Sequence, residues 1–345
     1  MTVLKPGKRK VNLEDVARLA GVSIVTVSRS LSDPKKVRPA TLKRVQDAVA
    51  KLGYVAHGAA RALASRRTRT IGVVIPSLEN AIFANTVFAL QRTLDENGYM
   101  LLVACDEYDL KVEVRLVHNL IERGVDGLIL VGTLHNPEIF AMLHAFQVPY
   151  VFTWAYDETR RSPCVGFNHR QAAARAAQHL IDLGHREFGV ISTITRDNER
   201  ARDRLAGVLE TLAHNNIRPD SSRIVEEPFS YVRGQKGFRQ IMVGPQRPTA
   251  VVCLNDVLAI GAMAECRAMG MEVPRDVSIT GCEDLEVAAM MAPGLTTVRF
   301  PTFEMGRCAG TYLLGTLRGE PVSEQQVFET ELIVRGSTAR PRDRG

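Results

Sequence analysis

The chain is 345 residues long, with 45% hydrophobic, 24% charged and 6% aromatic residues. That is enough apolar chain for sizeable cores, and the length suits two or three domains. Its net charge of +6 is unevenly spread: residues 1–70 hold 16 Lys and Arg against 4 Asp and Glu, a local +12, while the remaining 275 hold 28 against 34, a local −6. A basic head on an acidic body disfavours a single-domain metabolic enzyme and points to a polyanion partner at the N-terminus. The basic opening Met1–Lys10 leads into Asn12, Glu14, Asp15 and Arg18 rather than an apolar run, so no secretory signal is expected. No stretch approaches the roughly 18 apolar residues of a membrane span. Six cysteines are scattered without a CxxC pair or metal-ligand spacing, which predicts reduced buried thiols, no metal, no cofactor and a cytoplasmic location.

In chain order, Asn12 opens the stripe Leu13, Val16, Ala17 and Ala20 of a short helix, with Asp15 in the first turn where the helix dipole favours an anion. Gly21-Val22-Ser23 breaks it, and Ser23 is a good cap for a second helix over Ile24–Leu31. A third starts at Pro39, carries Leu42, Val45, Val49 and Leu52, and stops at Gly53. Two short helices around a tight Gly turn, supported by a third, read as a helix-turn-helix. On the second helix Ser23, Thr26, Ser28 and Arg29 form a polar, basic face suited to a DNA major groove. A plain three-helix bundle is the alternative.

The run VNLEDVARLAGVSIVTVSRSLSDPKKVRPATLKRVQDAVAKLGYVAHGAARALA resembles the headpiece of the lactose-repressor (LacI/GalR) family, most specifically from Asp15 to Tyr54. The resemblance implies a dimeric repressor on a near-palindromic double-stranded DNA operator, one headpiece per half-site. It sets Ile24 and Val25 at the positions that choose bases, where apolar side chains would read thymine methyls, although Ile24 also fits a core stripe with Val27 and Leu31. Ser28 and Arg29 become groove contacts, and Asn12, Ser23, Thr26 and Thr41 phosphate anchors. Residues 57–70 match the hinge helix, and Leu63 the leucine that wedges into the minor groove. Ala56 and His57 stand where Pro and Asn are usual, and Gly58 weakens the helix start. The expected domains are a headpiece over 1–56, the hinge over 57–70 and a two-lobed body over 71–345.

From Ile71 the chain alternates short apolar runs with helical stretches. Expected strands are 71–75, 100–104, 127–131, 150–153, 165–167, 188–192, 250–254 and 277–280. Expected helices are 83–96, 112–123, 140–146, 172–183, 204–214 and 257–269. Repeated β-α units predict parallel, doubly wound sheets. Two blocks split near 154–164 suggest two lobes facing a cleft: lobe 1 about 71–160 plus 294–322, lobe 2 about 163–291 plus 324–340. VDGLIL, HLIDLGHREFGVI, RPTAVVCLNDVLAIGA and VPRDVSITGCED resemble the family's body, which implies the periplasmic-binding-protein fold.

No phosphate loop follows the first strand, and GxSxG and HExxH are absent, so binding rather than catalysis is expected. Ligands in open α/β sheets sit beyond the carboxyl ends of strands. Residues in those places are Asn80, Phe83, Trp154, Asn168, Arg204, Phe229, Asp256 and Glu283, and the resemblance implies effector contacts at the same positions. Arg204 and Asp256 suit a polyhydroxylated ligand or its acid, and Trp154 and Phe229 an apolar ring face. SPCVGF resembles gluconate-type regulators, so the effector is read as a sugar or sugar acid, with inducer and corepressor roles both open. The polar tail after Ile333 lacks a leucine heptad, which favours a homodimer. A solute-binding protein or a sugar-type enzyme would share these lobes.

Overall fold

A computed structural model of the chain describes residues 11–32, 34–55, 67–156, 158–159, 162–244 and 247–342. It forms two compact units, residues 1–69 and 70–345. In the first, α1 (Leu13–Ala20), α2 (Ile24–Ser32) and α3 (Pro39–Leu52) bury Val16, Ala17, Ala20, Val27, Val45 and Ala48 in one small core. Gly21 ends α1 with φ at 63°, a left-handed cap that glycine adopts without steric cost. The turn into α2 follows directly.

The second unit holds two six-stranded sheets. In chain order its elements begin with β1 (Thr70–Ile75), α4 (Ala81–Asp95), β2 (Met100–Cys105), α5 (Leu110–Glu122), β3 (Gly127–Val131), α6 (Pro137–Ala145), β4 (Tyr150–Thr153) and β5 (Cys164–Gly166). There follow α7 (His169–Asp182), β6 (Phe188–Ser192), α8 (Glu199–His214), β7 (Ile224–Glu226), α9 (Tyr231–Met242), β8 (Ala250–Cys253), α10 (Asp256–Ala268) and β9 (Ser278–Glu283). The last are α11 (Glu286–Met290), β10 (Thr296–Arg299), α12 (Thr302–Arg318), β11 (Gln325–Val327) and β12 (Glu331–Ile333).

Lobe 1 has the all-parallel order β11-β5-β4-β3-β1-β2. Lobe 2 has the order β12-β10-β9-β8-β6-β7, with only β12 antiparallel. Near-continuous apolar runs such as TIGVVI and GLILV are what a sheet covered on both faces requires. The strand pairing corrects the lobe limits expected from sequence. β5 and β11 belong to lobe 1, and β10 belongs to lobe 2. The three crossings therefore fall at Phe167, near Pro301 and at residues 328–330, later than 160, 291 and 322. Strands of three or four residues carry too little pattern to reveal which sheet they join. Phe167 and Phe300, at the first two crossings, pack 4.5 Å apart between ring centroids.

The longest helix among the described residues, α12, is not predicted by the sequence pattern. Gly306 and Gly310 interrupt its pattern, yet they let it approach α4 closely: a β-carbon at Gly306 would overlap the Thr86 carbonyl oxygen. Six further elements that the sequence pattern does not predict, β7, α9, α11, β10, β11 and β12, are short or glycine-bearing.

Candidate functional site

Asn12 caps α1 in a reciprocal box, accepting from the Asp15 N–H at 3.0 Å while its own N–H donates to Asp15 at 3.1 Å. Ser23 caps α2 from one side, its hydroxyl oxygen accepting from the Thr26 N–H at 3.1 Å. This pinning turns Ser23, Ser28 and Arg29 to solvent and leaves Thr26 half-buried. Val27 is fully buried, whereas Ile24 is 43% and Val25 65% exposed. The core stripe that could have claimed Ile24 is thus carried by Val27, with Leu31 half-buried. Two apolar side chains beside an arginine on a water-facing helix have a physical reason if they meet apolar groups of a partner. Thr41 lies half-buried in the first turn of α3. Leu63 and most of the hinge fall outside the described residues.

In the body the carboxyl ends of both sheets face one cleft. A cavity of about 400 Å³ opens there, lined by Thr133, Trp154 and Tyr156 from lobe 1 and by Asn168, Arg200 and Asp203 from lobe 2. Trp154 follows β4 with φ at 58° and is 1% exposed. Its indole meets Phe83 edge-on at 5.2 Å and packs near Phe167 and Phe300. Its carbonyl accepts from His169 Nε2 at 3.0 Å, so the other ring nitrogen is left to accept from Arg204 Nη1 at 3.4 Å. His169 is neutral in this arrangement, and burial followed by the Arg204 charge pushes its pKa well below the ordinary value.

Arg204, on α8, is almost fully buried with its guanidinium 6.0 Å from the Phe300 ring centroid. Glu283 ends β9 with φ at 128°; burial first, then the Asp256 charge, hold its carboxyl well above the usual range against the pull of Arg204. Asp256 is bonded within lobe 2 through both carboxylate oxygens. One oxygen accepts from the Thr297 hydroxyl at 2.6 Å and the other from the Leu285 N–H at 2.8 Å. Burial lifts its pKa to about 6. The neighbouring Asn255 is different: it caps α10 through Oδ1, accepting from Leu258 at 2.8 Å, while Nδ2 has no partner.

Three more buried polar atoms of this group lack a hydrogen-bond partner in the protein: Trp154 Nε1, Arg204 Nε and Glu283 Oε2. Sequence reasoning missed Asn255, although an Asn just beyond a strand and before a helix is a recognisable signal. Tyr108 stands nearby. This residue follows Glu107 in a doubly left-handed turn, and its phenol lies within the field of Arg200, Arg204 and Glu283 across the cleft. Asn80 and Asn168 are helix caps, bonding Ile82 at 3.2 Å and Gln171 at 3.0 Å, with Asn168 also on the cavity wall. Of the eight effector residues expected from sequence, Trp154 and Asn168 line this cavity; Asn80, Phe83, Arg204, Asp256, Glu283 and the half-buried Phe229 are not on its wall. Among the described residues no cluster has the geometry of a metal site, and no helix is long and apolar enough to cross a membrane.

Residues 12–57 match the family model for bacterial regulatory proteins of the lacI family, and residues 177–338 match a periplasmic binding protein-like domain. The chain is 30% identical over 335 residues to the HTH-type transcriptional repressor CytR of Escherichia coli K12, covering 97% of this chain and 98% of that protein. It is 31% identical over 324 residues to the HTH-type transcriptional regulator GntR of the same organism, covering 93% and 96%. Among solved structures, the lac repressor dimer bound to operator and the anti-inducer ONPF superposes with a TM-score of 0.86 at 30% identity, over 96% of this chain and all of that one. A capped reading helix, two parallel-sheet lobes and full-length likeness agree, and the chain belongs to the LacI family of DNA-binding transcriptional regulators, which are not enzymes.

Proposed function

We propose that the chain is a transcriptional repressor that binds a near-palindromic operator as a homodimer in the cytoplasm, under the control of a sugar or sugar acid held between its lobes. The observation that carries the effector reading is that, of eight buried polar atoms without a hydrogen-bond partner among the described residues, four belong to Trp154, Arg204, Asn255 and Glu283. An unmade buried hydrogen bond costs about 1–3 kcal/mol, and four in one region are accounted for by a ligand that supplies the missing partners. Three are N–H donors, which suit hydroxyl and carboxylate oxygens. The fourth is a carboxyl oxygen of Glu283, a group whose pKa burial holds well above the usual range, and it can accept a bond from a hydroxyl. A gluconate-like acid meets both demands, with its carboxylate near Arg204.

The contacts expected of Ile24, Val25, Ser28 and Arg29 with bases, and of Asn12, Ser23, Thr26 and Thr41 with phosphates, are supported by a pinned helix whose base-choosing side chains face solvent. Self-association is supported by exposed Phe88 on α4 and by Met100 and Val103 on β2, the free edge of the lobe 1 sheet, with Val287 and Met290 on α11 of lobe 2. An effector that prefers one lobe arrangement shifts the population, and through it the paired headpieces. A thermal-shift screen of sugars and sugar acids tests the ligand class. Gluconate or a close acid should raise the midpoint; a rise with purines or nucleosides only would contradict it.

A further inference from the structure

α8 carries more than the effector arginine. Its first residue, Glu199, accepts the Thr133 N–H at 2.8 Å, and its second, Arg200, donates from Nη1 to the Val131 carbonyl at 2.9 Å. The two side chains pair with each other at 3.2 Å. Both are largely buried, and both reach out of lobe 2 to the end of β3 in lobe 1. They grip the backbone on either side of Gly132. That residue has φ at 94°, and a β-carbon there would overlap both Arg200 Nη1 and Glu199 Oε1.

The gripped segment is itself braced within lobe 1. The Gly132 N–H donates to the Thr153 carbonyl at 2.8 Å, and the Gly132 carbonyl accepts from His135 Nε2 at 3.0 Å. The other nitrogen of His135 meets Glu113 at 2.7 Å in the buried interior. Four successive backbone polar groups are thereby committed, two within lobe 1 and two to lobe 2. Arg204 lies one helical turn beyond Arg200, so the grip and the effector contact share a rigid element.

We propose that Glu199 and Arg200 are positioning residues whose clamp on Gly132 sets the separation of the lobes and couples it to Arg204. The coupling to Arg204 rests on the effector reading above; the clamp does not. The chain contains one tryptophan, Trp154, buried on the wall of the same cavity. Its emission therefore reports lobe separation without effector or DNA.

The test compares the full-length wild type with Arg200→Ala, Glu199→Gln and Gly132→Ala, the last breaking the clamp from lobe 1 with both lobe 2 side chains intact. Each variant is first shown to keep the wild-type far-UV circular dichroism, and any variant that does not is set aside in favour of the other two. The expected result is red-shifted, more readily quenched Trp154 emission in every variant, largest for Arg200→Ala and Gly132→Ala. Operator affinity should change in one common direction by about fivefold or more, the low end of typical allosteric coupling. Wild-type emission in both Arg200→Ala and Gly132→Ala would overturn the clamp. If emission shifts but no sugar or acid perturbs it, the clamp stands and the effector reading fails.

Discussion

Asn255 and Asp256 are chain neighbours with opposite hydrogen-bond commitments, and the proposed effector site predicts that Asn255 meets the ligand. Asp256 spends both oxygens on Thr297 and Leu285, while Asn255 keeps an unpaired amide in a fully buried position. Asn255→Ala should weaken effector binding by about tenfold or more, as one lost hydrogen bond of about 1–3 kcal/mol implies, measured by calorimetric titration with gluconate. Unchanged affinity would exclude Asn255 from the site. Asp106 offers a pH test. Burial lifts its pKa from 3.8 to about 6, so the folded chain holds this proton more tightly than the unfolded one. Stability is then lost as pH rises from about 4 to about 6, and the deficit persists above that. Asp106→Asn keeps the acceptor for the Tyr108 N–H, present at 2.9 Å, and removes the titration. It should be more stable than wild type at pH 7.5 by about 2–3 kcal/mol, with the two converging near pH 4 in denaturant titrations; parallel pH profiles would contradict this. Trp154 stands out in the sequence as a bulky residue directly after a strand, whereas Arg204, inside α8, is expected from the family resemblance of RLAG. Asn255 was hidden by the more reactive-looking Asp beside it, and Tyr108 by a turn whose left-handed backbone no residue type announces.

At the scale of elements, α2 and α12 mark the limits of what pattern can tell. The cap, the Gly turn and the apolar spacing of α2 predicted its span, because each acts within a few residues. Only tertiary packing shows that Val27 faces in and Val25 out. If Ile24 and Val25 read thymine methyls, operators with uracil in place of thymine should bind more weakly, by about 0.8 kcal/mol per contacted methyl. Equal affinity for the two DNAs, measured by anisotropy, would remove that role. α12 was illegible for the reason it packs well: its glycines depress helix propensity while admitting α4. Gly306→Val should cost about 3 kcal/mol in denaturant unfolding, as overpacking against backbone does. A neutral result would mean that α4 and α12 are free to separate. The start of α8 at Glu199, five residues before the expected Arg204, puts Glu199, Arg200 and Arg204 on one helix.

For the molecule as a whole, the net charge of +6 conceals a division of labour between a +12 head and a −6 body. A basic head is attracted to phosphates and an acidic body is repelled by them, so this split predicts DNA contact through the head. Dimerisation would double that contact. Met290→Asp should weaken self-association by about tenfold or more in sedimentation equilibrium, equivalent to about 1.4 kcal/mol, and an unaffected dimer would exclude α11 from the interface. The most direct test of the regulator reading is fluorescence anisotropy of the full-length chain on DNA from upstream of its own coding region, across a salt series and against scrambled DNA. Saturable binding that prefers the upstream DNA, with log affinity falling linearly in log salt, is the expected result. Binding indifferent to sequence, or no salt-sensitive binding while circular dichroism shows the helices folded, would contradict it.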